Sequence, residues 1–288
     1  STSYYIEAGN SCLSPRVAVQ AIISAPPAVP TGSDVNRCGT GTLTLNASGT
    51  GTLSWFANST GGTSLANGAS YTTPSISVNT TYYVEANNGC VSASRKAIQA
   101  IIDPIPAAPT SSNASRCGTG TLSLSATGSG NIYWYSANTG GSLLFTGNPF
   151  NTPSINNTTT YYVETGDNCR STRTPVQAIV NPIPSPPSTI DVTRCGSGSV
   201  TLTASAPSTI SWFDQASGGL AFTTGTSFTT PVLTSTTTYY IETGTTCISN
   251  RIPVRAIIGV EPAAPTASNN SRCGSGTYTV TASSPEQS

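Results

Sequence analysis

Residues 36–45 read "NRCGTGTLTL", and closely similar stretches recur three more times along the chain. The copies are "SRCGTGTLSL" from Ser115, "TRCGSGSVTL" from Thr193 and "SRCGSGTYTV" from Ser271. Each places an arginine, a cysteine and two glycines before a segment in which apolar and polar residues alternate. Alternation with period two is typical of a half-buried β-strand. The stretch therefore predicts a turn that leads into a strand, repeated along a tandem array.

The cysteines follow the same repetition, in two series with spacings of 78 or 79 residues. The first series is Cys38, Cys117, Cys195 and Cys273, and the second is Cys12, Cys90, Cys169 and Cys247. Self-similarity at a fixed period of this size indicates tandem small domains. We expect complete repeats at 27–104, 105–182 and 183–261, the C-terminal part of a repeat at 1–26, and the N-terminal part of one at 262–288. The partial repeats predict an internal piece of a longer protein.

The amino-acid composition excludes several classes of protein function. The 288 residues contain no histidine, which excludes histidine-based nucleophilic triads and most zinc sites. Eleven basic and eleven acidic residues leave no net charge, whereas nucleic-acid binding needs a clustered positive field. The recurring glutamates are Glu85, Glu164 and Glu242, one in each complete repeat. Glycoside hydrolysis requires a pair of carboxylates, which one glutamate in each repeat does not supply. From the composition as a whole we expect no enzyme, no nucleic-acid partner and no cofactor.

Short β-branched and aromatic runs separated by turn residues predict an all-β fold, with an immunoglobulin-like sandwich in each repeat. The tryptophans predicted to lie in the core are Trp55, Trp134 and Trp212. The aromatic residues predicted to face outward, on the other face of the same strands, are Phe56, Tyr135 and Phe213. Proline-rich joints such as 103–112, "DPIPAAPTSS", are biased to semi-rigid polyproline II. Stiff joints between similar sandwiches predict an extended rod.

The glycines beside each first cysteine could belong to a phosphate-binding loop, a metal site or a turn. A phosphate-binding loop leads into a helix N-terminus, whereas a strand follows here. A cysteine-only metal site typically uses close Cys-x-x-Cys pairs, which the sequence lacks. Equivalent joint positions hold Asp103, Asn181 and Gly259, so no calcium ligand is retained there. We expect turns, no metal, and disulfides of all eight cysteines in an oxidising compartment.

Each repeat has the order Cys-Gly, Leu-x-Leu, Trp-aromatic, Gly-Gly, Thr-Thr-Tyr-Tyr-Val-Glu and Cys, with small variations. This order resembles the immunoglobulin-like repeats of giant secreted surface proteins of Bacteroidetes, such as the stalks of SprB-like gliding adhesins and other type IX-secreted fibre proteins. The resemblance covers essentially the whole chain. It implies an extracellular stalk segment without a membrane span, which holds a distal adhesive tip away from the cell.

The partner implied for the whole protein is an extracellular surface or polysaccharide, with lateral or end-to-end association of chains. A second function stays open from the residues themselves. Phe56, Tyr135 and Phe213 could stack on sugars in a low-affinity polysaccharide-binding array, in which multivalency compensates for weak single sites.

Two schemes of cysteine pairing are open. In antibody-type domains a tyrosine lies two residues before the second cysteine, whereas Tyr83 lies seven residues before Cys90. In the standard sandwich topology the two cysteines of a repeat lie at opposite ends, beyond the ~7 Å Cα separation that a disulfide tolerates. We hypothesise disulfides between neighbouring repeats, Cys38 with Cys169 and Cys117 with Cys247. The alternative pairs are Cys38 with Cys90, Cys117 with Cys169 and Cys195 with Cys247.

Overall fold

The computed structural model describes residues 1–267, 269 and 271–284. All regular elements in this part of the chain are β-strands, which confirms the predicted all-β class. Among the described residues there is no helix of the length and apolarity that crossing a membrane requires. The chain divides into two compact units, Ser1–Ser112 with Ser123–Phe150 and Thr160–Gln177, and Asn113–Leu122 with Asn151–Thr159 and Ala178–Ser288.

The first partial repeat and the first complete repeat lie in one unit. Strands β1 (Thr2–Ile6) and β2 (Val17–Ala21) form an antiparallel hairpin. The first complete repeat contains β3 (Val35–Cys38), β4 (Thr44–Asn46), β5 (Thr52–Phe56), β6 (Ala66–Asn67), β7 (Ser70–Thr72), β8 (Thr80–Asn87) and β9 (Lys96–Asp103). Its larger sheet has the order β3-β9-β8-β5-β6, and its smaller sheet pairs β4 with β7. Strand β3 runs parallel to β9, whereas the other pairs are antiparallel.

The second complete repeat has the same arrangement in its larger sheet, β11-β18-β17-β14-β15. Its strands are β10 (Thr110–Ser111), β11 (Ala114–Cys117), β12 (Ser123–Leu124), β13 (Ala126–Thr127), β14 (Ile132–Tyr135), β15 (Leu143–Thr146), β16 (Phe150–Asn151), β17 (Thr159–Thr165) and β18 (Thr174–Asn181). The short strands pair as β10 with β13 and β12 with β16.

The third complete repeat places β20-β26-β25-β22-β23 in its larger sheet and β19-β21-β24 in its smaller sheet. Its strands are β19 (Ser188–Thr189), β20 (Val192–Cys195), β21 (Thr201–Ser205), β22 (Ile210–Phe213), β23 (Thr223–Thr224), β24 (Ser227–Thr229), β25 (Thr237–Thr243) and β26 (Ile252–Gly259). A final pair, β27 (Thr266–Ala267) with β28 (Ala282–Ser283), belongs to the partial repeat that follows.

The core of each sandwich forms where the two sheets face each other. Strand β8 shows why the sequence folds this way, because Tyr82, Val84 and Ala86 point inward at every second position. Strand alternation puts Tyr83 on the other face, where it is half-buried. The tryptophans Trp55, Trp134 and Trp212 are fully buried.

A buried indole needs a partner for its N–H group. The Nε1 atom of Trp55 donates to the carbonyl of Gly68 at 2.9 Å. Trp134 donates to Gly147 at 3.1 Å, and Trp212 donates to Gly225 at 2.8 Å. Each tryptophan therefore fills the core and also fixes a glycine-containing turn.

One detail differs from the predicted strand order. The opening motif predicts a turn that leads into a strand, but Cys38 is the last residue of a separate strand, β3, which precedes the turn. A turn at Gly39, with a φ of 67°, separates β3 from β4. The chain changes sheets at this turn, so Cys38 lies beside the end of β9, opposite Asp103.

Candidate functional site

The candidate site is the joint between consecutive repeats, where the structure contains disulfides. Cys38 bonds to Cys169 with a Cα–Cα distance of 5.5 Å, and the two residues are 131 positions apart in the chain. Cys117 bonds to Cys247 with a Cα–Cα distance of 5.6 Å, at a separation of 130 positions. Both bonds follow one rule: the first cysteine of a repeat pairs with the second cysteine of the next repeat. The structure has these pairs rather than pairs within a repeat.

The strands and loops explain how the partners meet. Cys38 ends β3, and Cys169 lies in the loop between β17 and β18 of the next repeat. The Sγ atom of Cys169 lies 3.9 Å from the carbonyl oxygen of Asp103, the last residue of β9. The Sγ atom of Cys38 lies 3.9 Å from the carbonyl oxygen of Asn168. The loop of one repeat thus sits against the end of β9 in the repeat before it.

The second bond has a closely similar environment. Cys117 is opposite Asn181 in the parallel pair of β11 and β18. The Sγ atom of Cys117 lies 3.6 Å from the carbonyl oxygen of Thr246. Repetition of the same surroundings indicates that the joint is a built feature of the repeat.

The proline-rich joint packs onto the glycine turn that follows the first cysteine. A Cβ atom at Gly39 would lie 2.8 Å from Cδ1 of Ile105, and Gly118 has the same relationship to Ile183. The Gly39 N–H group also donates to the carbonyl of Asp103 at 2.9 Å. Gly39 therefore combines a left-handed backbone with a close approach that a side chain would obstruct.

The second glycine of the opening motif serves a different purpose. A Cβ atom at Gly41 would collide with the guanidinium group of Arg37. That guanidinium donates from Nη1 to the carbonyl of Thr42 at 2.8 Å, and Arg116 makes the equivalent bond to Thr121. The repeated "RCGxG" motif is thus a turn closed by its own arginine, with the cysteine aimed at the neighbouring repeat.

Four cysteines depart from the expectation of disulfides at all eight positions. Cys12, Cys90, Cys195 and Cys273 have free thiols in the structure. The physical reason is the pairing rule, because none of the four has a cysteine of the other series at the required distance of about 130 positions within the 288 residues. The Cys90 thiol donates to the carbonyl of Ser24 at 3.5 Å.

A second recurring arrangement surrounds an arginine that precedes the last strand. Arg95 donates from Nε to Glu85 Oε2 at 2.8 Å. From Nη1 it donates to the carbonyls of Asn58 and Gly61, at 2.8 and 2.7 Å. Its Cζ atom lies 3.3 Å from the centroid of the Phe56 ring. One guanidinium thus connects strand β8, the Gly-Gly turn and the aromatic residue after the core tryptophan.

The other complete repeats contain the same cluster. The equivalent groups are Arg173, Glu164, Tyr135 and the carbonyls of Ala137 and Gly140, then Arg251, Glu242, Phe213 and the carbonyls of Gln215 and Gly218. In the second repeat the Tyr135 hydroxyl also donates to Glu164 Oε1 at 2.9 Å. Burial, followed by this hydrogen bond, raises the pKa of Tyr135 above its ordinary value.

These contacts correct the prediction that the aromatic residues face outward. Phe56 and Phe213 are only 6% and 5% exposed, and Tyr135 is half-buried. An arginine stacks on each ring and is held there by hydrogen bonds to carbonyls of the Gly-Gly turn. The predicted exposure of Phe56 and Phe213 is therefore wrong, whereas a glycan contact at the half-buried Tyr135 stays a prediction. The sequence signal for the cluster was the arginine repeated four or five residues after each second cysteine.

No group of three or more His, Cys, Asp or Glu side chains that could hold a metal ion occurs among the described residues. Asp103, at the first joint, accepts a hydrogen bond from Asn36 Nδ2 at 2.8 Å.

Two-sheet sandwiches in tandem define a protein of immunoglobulin-like repeats. In each one, the strand that ends at the first cysteine runs parallel to the last strand. The chain belongs to the family described as "Ig-like domain CHU_C associated", which matches residues 27–104, 106–182 and 184–259. The description of this family names no enzyme. No curated protein matches the chain at a significant level.

Solved structures with tandem domains are similar at low identity. A titin I-band fragment, I67–I69, is 12% identical with a TM-score of 0.42, and the match covers 82% of this chain and 100% of that one. Extracellular domains 3–5 of Drosophila OTK are 12% identical with a TM-score of 0.37, covering 83% and 100%. The fibronectin(III)-like modules of Clostridium thermocellum CbhA are 11% identical with a TM-score of 0.37, covering 54% and 95%.

Proposed function

We propose that this chain is a structural stalk segment of a large extracellular protein, in which cross-linked repeats hold a distal adhesive part away from a cell surface. The observation that carries the proposal is the pair of disulfides between consecutive repeats. A disulfide inside a repeat would stabilise only that repeat. A disulfide across a joint also restricts how two repeats move relative to each other.

Further support comes from the chemistry of the joints. Two disulfides fit an oxidising environment such as the extracellular space. Proline restricts the backbone at Pro104, Pro106 and Pro109, and Ile105 is packed onto Gly39. A neutral chain with 8% charged residues has no strong field to attract charged ligands. These features suit a spacer better than a binding surface.

The resemblance to the stalks of gliding adhesins and type IX-secreted fibres of Bacteroidetes supports the finer proposal of a surface adhesin. Under that proposal, adhesion to an extracellular surface or polysaccharide is a property of the whole protein. A polysaccharide-binding array is not retained as a second candidate, because the rings proposed for stacking are covered by arginine.

Small-angle X-ray scattering of the full chain tests the stalk proposal. Oxidised chain is compared with a Cys169→Ser/Cys247→Ser variant, and a Cys90→Ser/Cys195→Ser variant is the matched control because its substituted thiols are free. We expect a narrower distribution of interatomic distances for the oxidised chain and the control than for the first variant. The same distribution for all three chains would contradict a stiffening role of the disulfides.

A further inference from the structure

The two disulfides interleave along the sequence. Cys117 lies between Cys38 and Cys169, and Cys169 lies between Cys117 and Cys247. Three separate stretches of backbone therefore join the same two disulfides: residues 39–116, 118–168 and 170–246. An unbranched chain without these bonds would have a single covalent path over the same region.

We propose that the interleaved disulfides form a redundant covalent link, which holds the chain in one piece after backbone cleavage and limits its extension when repeats unfold. One cut, or one cut in each of two stretches, leaves at least one backbone path between the disulfides. This property goes beyond the stalk function and does not depend on where the protein is displayed.

The redundancy matters because each path contains exposed backbone of the kind that proteases cut first. The first stretch includes the joint at Ile105, which is 53% exposed, and the third includes the joint at Ile183, which is 54% exposed. The second stretch includes the exposed turn at Gly140 and Gly141. Cleavage at any one of these places leaves two uncut paths.

The limit on extension follows from chain geometry. Cys117 and Cys169 are 52 positions apart, so the shortest path spans at most about 170–190 Å when fully extended. Cys38 and Cys247 are 209 positions apart, which would allow about 690–750 Å without the bonds. Complete unfolding under tension would therefore release about a quarter of that length between the disulfides.

Site-specific cleavage of the full chain tests the covalent link. A protease recognition sequence is inserted between Ala107 and Ala108, between Ser185 and Pro186, or at both places, all of which are exposed positions. The matched control carries the insertion between Ala263 and Ala264, an equivalent proline-flanked pair in the joint after the third repeat. That joint has no disulfide across it, because Cys195 is free.

On a non-reducing denaturing gel, we expect the chains cut at either or both of the first two sites to migrate as one covalent species. Reductant should separate them into fragments, and the cut control should separate without reductant. Release of fragments from the first two variants without reductant would overturn the proposal, and pairing within repeats predicts that result.

Single-molecule pulling tests the same topology without any insertion. Interleaved pairing hides 157 positions between Cys38 and Cys247, and reduction should release them as about 520–570 Å of extra length. Pairing within each of the three repeats would hide almost the same number of positions from extension. The Cys90→Ser chain is therefore also measured, because Cys90 forms a disulfide only under pairing within repeats. We expect an unchanged release for Cys90→Ser, whereas a loss of one third would overturn the interleaved link.

Discussion

The Cζ atom of Arg251 lies 3.3 Å from the centroid of the Phe213 ring. The same guanidinium donates to Glu242 at 2.8 Å and to the carbonyls of Gln215 and Gly218. Planar stacking and several directed donors are specific abilities of arginine, which lysine does not reproduce. The cluster therefore joins three parts of the repeat through one side chain.

Arg251→Lys should lower the free energy of unfolding of the third repeat by about 1–3 kcal/mol, because stacking and charge-assisted hydrogen bonds are lost. Arg255→Lys is the matched control, since the side chain of Arg255 is 60% exposed and lies 4.0 Å from Asp191. For this exposed pair we expect a change within about 0.5 kcal/mol. Urea unfolding followed by tryptophan fluorescence measures both, and equal effects would contradict the role of the cluster.

Trp134→Phe should destabilise the second repeat by about 2–4 kcal/mol, because the core loses volume and a partly buried carbonyl loses its donor. The lost hydrogen bond is the one from Trp134 Nε1 to Gly147. Tyr4→Phe, at a side chain that is 62% exposed, is the control and should have little effect. Calorimetry is the measurement, and a small change for Trp134→Phe would mean that the indole N–H group contributes little.

Stability should fall at alkaline pH. Burial raises the pKa of Tyr71, Tyr82, Tyr135, Tyr161 and Tyr239 above 10.0 in the folded state. The folded protein holds these phenolic protons more tightly than the unfolded chain. Their contribution to stability is therefore complete below pH 10.0, and it is lost as the pH rises through the folded-state values.

Tyr135→Phe provides the test of this pH dependence, because the ring under Arg173 is kept while the ionisable hydroxyl is removed. We expect a shallower alkaline fall in the free energy of unfolding than in the unmodified chain. Denaturant unfolding at a series of pH values measures the slope. An unchanged slope would show that Tyr135 is not one of the groups responsible.

Thiol labelling should find four reactive cysteines in the unreduced, denatured chain, Cys12, Cys90, Cys195 and Cys273. In Cys169→Ser we expect Cys38 to become an additional labelled residue, because the folded repeat keeps it away from Cys90. Peptide mass spectrometry identifies the labelled positions. A new disulfide between Cys38 and Cys90 in this variant would contradict that expectation.

The full chain should not be retained on soluble or insoluble polysaccharides through its aromatic residues, because Phe56 and Phe213 are buried. Affinity electrophoresis across a panel of glycans measures retention. Retention that is lost on Tyr135→Ala, but kept in Tyr4→Ala, would restore the half-buried ring as a sugar contact.

Some features could be predicted because they depend on local pattern. The alternation of apolar and polar residues, together with the turn residues, indicated the strands. The three tryptophans indicated which face of the sheet packs in the core. Other features depend on parts of the chain that meet only after folding. Strand alternation puts Phe56 on the face opposite Trp55. It cannot show that Arg95, the residue before β9, covers that face. Likewise, the position of Cys38 beside β9, before the turn at Gly39, could not be predicted without the order of the strands in the sheet.

The interleaved pairing also constrains the order of events during synthesis. Cys90 follows Cys38 by 52 positions, whereas the native partner, Cys169, follows it by 131. Loop closure favours the nearer thiol in an unfolded chain, and disulfide exchange joins whichever thiols are accessible. Oxidation as the chain emerges would therefore favour the wrong pair. Without later disulfide exchange, native pairing requires each repeat to fold with its first thiol still reduced until the following repeat is complete.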